Sequence, residues 1–448
     1  SYFTNEEGYL VLPKNLKPGN YRIEEVTAPD GYTISKNYVT VAVDTDTAYL
    51  TDPVTGDAVI DVEYTNAPVK GQLKIYKQGE VLKGFDKDFQ YEMAGLAGAE
   101  FEVYAAEDIY TADHQVDADG QRTLYFAKDA LVATVTTDAD GYATVKNLPL
   151  GRYYVKEKNA PDTYVLNTVP ENVEFAYADQ DTAVIEKEIS VTDERQKVSI
   201  TVEKQDAETG NEAQGDATLE GAVYGLYARE DIVHPDGRTG TIHKKDSLIT
   251  SLTTDKNGEA SVSDLYLGKY YLKELSAPVG YVLDPTEHDV DCTYEGATVP
   301  TVERTSVCKE TVIKQPFQII KAANNGKTDA DLLSGAGFTV YLKSSLIKKA
   351  DGSYDFDSAK PVVSGENGAT EIFTDEKGYA CSIPLPFGSY IVRETTTPHN
   401  YKPVDDFEVN ITEHHPNEPQ IWRVLLDEEF KAKLKICLLY TSDAADDK

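Results

Sequence analysis

Carboxyl side chains recur in this sequence at positions where a strand pattern would turn them inward. Each ends a segment of the form G-x-Y-x-(I/V/L)-x-E, which is followed by a turn containing Pro and then by Tyr. Side chains alternate faces along a strand, so this Glu shares a face with the Tyr and the aliphatic residue of its own motif. A buried carboxyl is costly unless it is paired or takes part in chemistry. The four copies are Glu25, Glu157, Glu274 and Glu394.

Two further groups accompany each Glu. A Lys ends the apolar face of an opening strand, as in Leu73, Ile75 and Lys77, and the same parity selects Lys204 and Lys321. A closing strand carries an inward Asp or Asn shortly before the next opening Lys, or at the end of the last repeat. These closing residues are Asn66, Asp193 and Asp427. Asn66 and Asp193 lie at the same distance before the next opening Lys, and that distance before Lys321 leads to Glu310 in the third repeat, which is called the middle repeat below.

An amine, a carboxyl or carboxamide, and a second carboxyl held in contact can form an amide. Burial favours the neutral forms and shifts the pKa of Lys down and that of Glu up by as much as ~3–5 units. A neutral amine is a nucleophile, and a protonated carboxyl can polarise a carbonyl and transfer protons. Fixed proximity lowers the barrier by roughly 7–11 kcal/mol. The predicted product is an intramolecular Lys–Asp or Lys–Asn isopeptide bond, formed once with loss of water or ammonia, so the chain is not expected to be a turnover enzyme.

Short strands and glycine-containing turns must position these groups. Each Glu strand follows a turn that ends in Gly, at Gly8, Gly141, Gly258 and Gly378. No segment shows sustained helical periodicity, so the fold class is predicted to be all-β, with tandem sandwiches. The long repeat spacing fits whole domains. The expected domains are 1–68 (the C-terminal part of a truncated domain), 69–194, 195–312 and 313–436, followed by a non-native, adapter-like tail at 437–448.

Composition restricts the class of protein. The formal net charge is −34, from 77 acidic and 43 basic residues, which argues against nucleic acid and anionic membranes as partners. Four Cys residues cannot build a dense disulfide framework. No apolar run reaches the roughly 20 residues needed to span a bilayer. No cofactor motif and no convincing metal-ligand set is present.

The Y-x-(I/V/L)-x-E strand, the A-P-x-G-Y turn and the opening K-x-D of residues 204–206 resemble a known family. They are similar to the B-type repeat domains of Gram-positive collagen adhesins (Cna-B) and to the prealbumin-like domains of SpaA-type, sortase-assembled pilins. The resemblance covers Ser1 to about Ile436. It implies tandem prealbumin-like (Ig-like) β-sandwich domains arranged as a rod.

The resemblance also implies site roles, with Lys and Asn or Asp forming the isopeptide bond and Glu catalysing it. Two repeats keep the whole set. The first repeat keeps Glu25 and Asn66 without a Lys. The middle repeat keeps Lys204 and Glu274 but has Glu310 at the third position, so no bond is expected there. The complete sets are Lys77, Glu157, Asp193 and Lys321, Glu394, Asp427.

The function implied by this resemblance is structural. The chain is expected to be an extracellular, cell-wall-attached stalk or pilin-like segment of a surface adhesin. Its partners would be sortase and peptidoglycan, reached through a C-terminal signal outside this sequence, and a host matrix protein or glycan. Two alternatives stay open: a module that itself binds host matrix or glycan, and a non-catalytic spacer of a secreted enzyme.

Simpler interpretations compete for individual residues. The recurring Glu could serve only as an acceptor for the following turn, and the opening Lys could extend to solvent. Lys14, in VLPKN, could be a sortase nucleophile, but it occupies the repeat position of an ordinary hairpin strand. Cys292 and Cys308 lie on neighbouring predicted strands and could form a disulfide. The Asp-rich turns lack the Gly and Glu spacing of a calcium loop.

Overall fold

The computed structural model describes residues 1–437 and is almost entirely β-structure. Its described helices are two single 3₁₀ turns, at Lys343–Ser345 and Glu366–Gly368. Within the described range, no helix is long and apolar enough to cross a membrane. The predicted tail at 437–448 lies, except for Cys437, outside the described residues.

The chain divides into two compact units. The first comprises Ser1–Gln196 with the segments His234–Gly240 and Tyr294–Pro300, and the second comprises Lys197–Val233, Thr241–Thr293 and the chain from Thr301 onward. The strands of the first unit are β1 (Gly19–Glu24), β2 (Tyr38–Val43), β3 (Leu50–Thr51), β4 (Ala58–Val59), β5 (Lys70–Phe85), β6 (Phe89–Gly95), β7 (Glu100–Ala105), β8 (Ile109–Tyr110), β9 (Leu124–Phe126), β10 (Leu131–Thr136), β11 (Tyr142–Leu148), β12 (Gly151–Asn159), β13 (Glu171–Phe175) and β14 (Val184–Thr192).

The second unit contains two successive sets of strands. Its first set is β15 (Lys197–Asp206), β16 (Val223–Ala228), β17 (Ile232–Val233), β18 (Thr241–His243), β19 (Leu248–Thr253), β20 (Glu259–Leu265), β21 (Gly268–Ser276), β22 (Glu287–Cys292) and β23 (Thr301–Glu310). Its second set is β24 (Lys314–Gln315), β25 (Gln318–Asn324), β26 (Gly337–Leu342), β27 (Ile347–Lys348), β28 (Tyr354–Asp355), β29 (Glu371–Phe373), β30 (Tyr379–Cys381), β31 (Leu385–Pro386), β32 (Gly388–Thr396), β33 (Phe407–Ile411) and β34 (Arg423–Glu428).

Three repeats share one sandwich topology. In each, a four-stranded sheet faces a three-stranded sheet: β10-β7-β12-β13 with β11-β5-β14, β19-β16-β21-β22 with β20-β15-β23, and β29-β26-β32-β33 with β30-β25-β34. The opening strand lies at the centre of the three-stranded sheet, where the closing strand pairs with it in parallel. The all-β, prealbumin-like prediction is confirmed.

The glutamate motif forms a strand with the predicted alternation. In β12, Tyr153, Val155 and Glu157 are buried between more exposed neighbours. The same three positions are buried in β21 and β32, where the intervening Tyr271 and Ile391 are buried as well. The motif Tyr also closes the turn before its own strand, because its hydroxyl donates to a carbonyl four residues earlier. The donor and acceptor pairs are Tyr21 and Lys17, Tyr153 and Pro149, Tyr270 and Tyr266, and Tyr390 and Pro386.

The first repeat departs from prediction in two segments. The closing strand that was predicted to carry Asn66, with Val62, Tyr64 and Asn66 on one face, is not formed, and neither is the hairpin strand predicted around Lys14. Their counterparts in the second repeat, β14 and β11, both pair with the opening strand β5. The described residues contain no opening strand for the first repeat, so these two segments have no ladder partner.

A second difference lies at the far end of β5. The predicted opening strand continues through Phe85 and folds back as a hairpin with β6. The alternation of buried and exposed residues continues through Val81, which packs with Leu96 and Tyr164 in a small satellite core.

Glycines of the predicted turns support the opening Lys. Gly141, Gly258 and Gly378 have φ values of +85°, +83° and +63°. A Cβ at these positions would lie 2.6, 2.6 and 2.4 Å from the backbone oxygen of the opening Lys. Each glycine carbonyl also accepts the N–H of that Lys. The turn and the Lys backbone therefore fit together only when the turn ends in Gly.

We predict that Gly141→Ala destabilises the second repeat more than Gly120→Ala. Both glycines have positive φ, so each substitution carries a conformational cost of about 1–2 kcal/mol. Only Gly141 adds a clash, because nothing lies within 4 Å of a Cβ at Gly120. Calorimetric melting of the full chain measures the difference, and equal shifts in Tm would contradict the packing role of Gly141.

Candidate functional site

The second repeat brings its three predicted residues together inside the core. Lys77 comes from β5, Asp193 directly follows β14 in the same sheet, and Glu157 reaches them from β12 in the facing sheet. The Lys77 Nζ atom lies 2.7 Å from Glu157 Oε1 and also contacts Asp193 Oδ1. All three side chains are at most 1% exposed. The predicted inward direction of each residue is confirmed.

These polar atoms are in contact but incompletely hydrogen-bonded. Lys77 Nζ, Glu157 Oε1 and both carboxyl oxygens of Asp193 have no partner in hydrogen-bond geometry among the described residues. The other Glu157 oxygen accepts the backbone N–H of Asn167 at 2.8 Å. The turn therefore fixes one oxygen of Glu157 and leaves the second directed at the amine. Unsatisfied buried polar groups are costly, so the cluster is energetically unfavourable as it stands.

Electrostatics favours a protonated carboxyl beside the amine. Burial, with a smaller contribution from the neighbouring Glu157 carboxyl, raises the pKa of Asp193 to about 7 against the opposing pull of the Lys77 ammonium. One ammonium cannot neutralise two buried carboxylates, so the carboxyl pair retains a proton near neutral pH. The site can thus hold a protonated Asp193 carboxyl in contact with the amine.

The fourth repeat repeats this arrangement. Lys321 Nζ donates to Glu394 Oε2 at 2.7 Å and contacts Asp427 Oδ1, and all three side chains are fully buried. The same Oε2 atom accepts the N–H of Val404 at 2.9 Å, and Glu394 Oε1 has no hydrogen-bond partner among the described residues. Both oxygens of Asp427 lack a hydrogen-bond partner among the described residues. Burial raises the pKa of Asp427 to about 6.

The middle repeat brings together a different set. Strand register places Glu310 opposite Asp206, as Asp427 lies opposite Ala323, so Glu310 is the positional counterpart of the closing Asp. Lys204 Nζ donates to Glu310 and lies 3.8 Å from Glu274 Oε1. Burial lowers the pKa of Lys204 to about 8 and raises the pKa of Glu274.

The first repeat keeps two of the three groups. Asn66 Nδ2 donates to Glu25 Oε2 at 2.8 Å and to the carbonyl of Thr33 at 2.8 Å. Glu25 also accepts the N–H of Ser35 at 2.7 Å. Both residues are half-buried. The carboxyl and carboxamide are therefore in contact here.

The simpler interpretation of the recurring Glu accounts for one of the interactions of its carboxylate. In all four repeats the carboxylate accepts a backbone N–H from the residue ten positions later. In the second, middle and fourth repeats, the same carboxylate also faces the opening Lys. The turn thus orients the Glu without using up its capacity to accept a proton from the amine.

The disulfide considered for the middle repeat is not formed. Cys292 and Cys308 are buried thiols that take part in no disulfide among the described residues. The two lie in different sheets, since β22 belongs to the four-stranded sheet and β23 to the three-stranded one. Burial raises the pKa of the Cys308 thiol, which disfavours its reactive thiolate form.

Sequence reasoning missed a threonine that supports each site. The hydroxyl of Thr137 donates to the Leu96 carbonyl at 2.8 Å and accepts the N–H of Ala99 at 3.0 Å. Thr254 and Thr374 make the same two bonds in the other repeats. Each precedes the turn Asp in the sequence, and this recurrence was the signal that could have identified it. The residue ties the start of the short apolar strand to the strand before the turn.

A family model for the SpaA prealbumin-like fold domain matches residues 1–55, 85–193, 198–305 and 316–421. The trypsin-resistant surface T6 protein of Streptococcus pyogenes serotype M6 is 34% identical over 83 residues, which is 18% of this chain and 13% of that protein. This chain thus spans only a small part of that relative.

Solved structures also resemble the chain. The Bacillus anthracis TIE protein shares 23% identity with a TM-score of 0.45, covering 81% of this chain and 52% of that one. The major pilin SpaD from Corynebacterium diphtheriae shares 14% identity with a TM-score of 0.24, covering 81% and 98%. The family assignment depends on the domain model, which matches most of the sequence in four successive segments. The chain belongs to the SpaA family of prealbumin-like fold domains.

Proposed function

We propose that this chain is a segment of a pilus-like stalk on a Gram-positive cell surface, with two of its repeats closed by isopeptide bonds. The bonds join Lys77 to Asp193 and Lys321 to Asp427. The observation that carries the proposal is the fully buried contact of each amine with a closing Asp whose oxygens have no hydrogen-bond partner among the described residues. Amide formation removes the charges and the unmatched polar atoms together.

Glu157 acts as the catalytic proton carrier in the second repeat. The Lys77 amine transfers a proton to Glu157 and attacks the carbonyl carbon of protonated Asp193. The C–N bond forms, the C–O bond to the hydroxyl breaks, and the hydroxyl leaves as water with the proton that Glu157 returns. The Lys77 ammonium loses two protons in all: one leaves with the Asp193 hydroxyl as water, and the other remains on Glu157, so one water is released for each bond. Glu394 performs the same role between Lys321 and Asp427.

The position of each bond suits a mechanical role. β5 and β14 are the first and last strands of the second sandwich, and they run parallel side by side. A pulling force that enters at β5 and leaves after β14 would pass through the Lys77–Asp193 bond. The residues between 77 and 193 would then be shielded from extension. The same holds for β25 and β34 in the fourth repeat.

The relatives supply the setting for this role. One is described as a trypsin-resistant surface protein and another as a major pilin, and we extend both properties to this chain. Sortase and peptidoglycan would anchor the stalk, and a host matrix protein or glycan would bind an adhesive part of the whole protein. The domains would be 69–194, 195–312 and 313–436, after a first repeat at 1–68. In that first repeat, Glu25 and Asn66 would be the catalytic and acceptor residues.

Glu157→Gln should block the second-repeat bond and leave the fold intact, because Gln has the shape of Glu but cannot accept and return a proton. The variant should gain the mass of one water over the native chain, apart from the small Glu-to-Gln difference, and should become sensitive to trypsin within residues 69–194. Lys77→Ala should likewise lose the bond.

Exposed neighbours provide the matched controls for these variants. Lys74→Ala changes an outward Lys on the same strand, and Glu174→Gln changes an outward Glu on β13. Both should keep the native loss of water and the native protease pattern. If Glu157→Gln still lacks the water, Glu157 is not the proton carrier.

Bond formation should slow as pH rises. The reactive state keeps one proton on the carboxyl pair, and this proton is present below the raised pKa and lost above it. The rate in the second repeat should therefore fall as pH passes about 7, and in the fourth repeat as pH passes about 6, following the pKa values of Asp193 and Asp427. Refolding unreacted, denatured chain at a series of pH values, with mass followed over time, measures both rates. Rates that increase through these windows would contradict the mechanism.

A further inference from the structure

The middle site differs from its neighbours at two positions that face each other. Tyr224 on β16 lies opposite Glu274, where the other repeats have Phe101 opposite Glu157 and Phe338 opposite Glu394. The closing residue is Glu310 in place of Asp. Compared with the other repeats, the middle site therefore has one more hydroxyl, on Tyr224 of one sheet, and one more methylene, in Glu310 of the other sheet.

These two additions meet in the core. The Tyr224 hydroxyl donates to Glu310 Oε1, and Lys204 Nζ donates to Glu310 Oε2. Both oxygens of Glu310 are therefore hydrogen-bonded, whereas neither oxygen of Asp193 or Asp427 has a partner among the described residues. Tyr224 and Glu310 are almost completely buried, at 1% and 2% exposure. The closing carboxyl of the middle repeat is satisfied without a covalent bond.

The amine of the middle site is also farther from its Glu. Lys204 Nζ lies 3.8 Å from Glu274 Oε1, compared with 2.7 Å for the Lys–Glu pairs of the other two repeats. It lies 4.6 Å from the centre of the Tyr281 ring, whose hydroxyl is held by Asp206 at 2.9 Å. The amine is thus held by Glu310 and the ring, beyond hydrogen-bond reach of the Glu that would take its proton.

Two hydrogen-bond donors on one carboxylate also make it a poor electrophile. They stabilise the ionised form, which cannot release a hydroxyl as water. In the other repeats the Phe side chain donates nothing to the closing Asp, so the protonated form is accessible. The aromatic residue opposite the catalytic Glu therefore influences the protonation state of the closing carboxyl.

We propose that Tyr224 is a positioning residue. Together with Glu310, it keeps the Lys204 amine in a hydrogen-bonded, non-covalent contact and so prevents an isopeptide bond in the middle repeat. This inference depends on the proposed isopeptide chemistry of the second and fourth repeats. Replacing the pair by the residues of those repeats, Tyr224→Phe with Glu310→Asp, would restore the chemistry. The Lys204 amine would then attack the carboxyl carbon of residue 310, with Glu274 carrying the proton, and one water would leave.

The test compares the full native chain, each single variant and the double variant. After digestion, mass spectrometry searches for a branched peptide that joins Lys204 to residue 310. The Lys77–Asp193 branched peptide in the same digest is the internal standard. The bond is expected in the double variant and absent from the native chain and from both single variants. Tyr227→Phe with Glu310→Asp is the matched control, because Tyr227 is on the same strand but contacts Tyr271 rather than the site.

A reverse exchange covers the case in which the double variant does not fold. Phe101→Tyr with Asp193→Glu should abolish the second-repeat bond while the Lys321–Asp427 bond persists in the same molecule. Its fold is checked by the melting transition of the full chain. Loss of the bond in a folded chain supports the proposal, and retention overturns it.

The remaining outcomes distinguish a failure of this proposal from a failure of the proposed isopeptide chemistry in the second and fourth repeats. One outcome is that the Lys77–Asp193 isopeptide bond is present but the folded double variant lacks a bond between Lys204 and residue 310. This result would refute the role of the Tyr224–Glu310 pair and leave the isopeptide chemistry of the second and fourth repeats supported. A Lys204–Glu310 branched peptide in the native chain, or a bond in the Tyr227 control equal to that of the double variant, also refutes the role of that pair. If no repeat contains a bond, both proposals fail.

Discussion

The structure depends on an amine buried with two carboxyls in an apolar core. Water is excluded, so the three groups can lower their free energy only by hydrogen bonding, by sharing protons or by reacting. In the second and fourth repeats, Asp193 and Asp427 touch the amine yet have no hydrogen-bond partner among the described residues. The middle repeat meets the same constraint with the hydroxyl of Tyr224 and the longer side chain of Glu310. One fold thus accommodates two solutions to a single desolvation problem.

The parallel pairing of opening and closing strands gives this contact its consequence. A covalent link between these strands would close a loop that contains nearly the whole domain. For a disulfide across roughly 100 residues, the chain-entropy model gives about 4.7 kcal/mol of stabilisation, and an isopeptide bond constrains the unfolded chain in a comparable way. The rest of the sandwich serves this geometry. The glycine turns support the Lys backbone, and the turn after each Glu strand orients the Glu.

Strand parity was enough to predict the inward direction of Lys77, Glu157 and Asp193, because side-chain alternation is a local property of a strand. Interactions between strands could not be read in this way. The hydrogen bond from Tyr224 to Glu310 joins residues from two sheets. Phe and Tyr also fit the same alternating strand pattern equally well, so the pattern does not show that a hydroxyl is present. The strand predicted to carry Asn66 failed for a related reason, since a strand forms only beside a partner. The fold class was therefore predictable from the sequence. The hydrogen bonds that each closing carboxyl makes could be found only from the packed structure.

The intact mass of the mature chain without substitutions tests the isopeptide chemistry most directly. The second and fourth repeats should each have released one water, and the middle repeat none. The measured mass should therefore be two waters below the mass calculated from the sequence, with branched peptides only at Lys77–Asp193 and Lys321–Asp427. A mature chain with the full calculated mass would contradict the account.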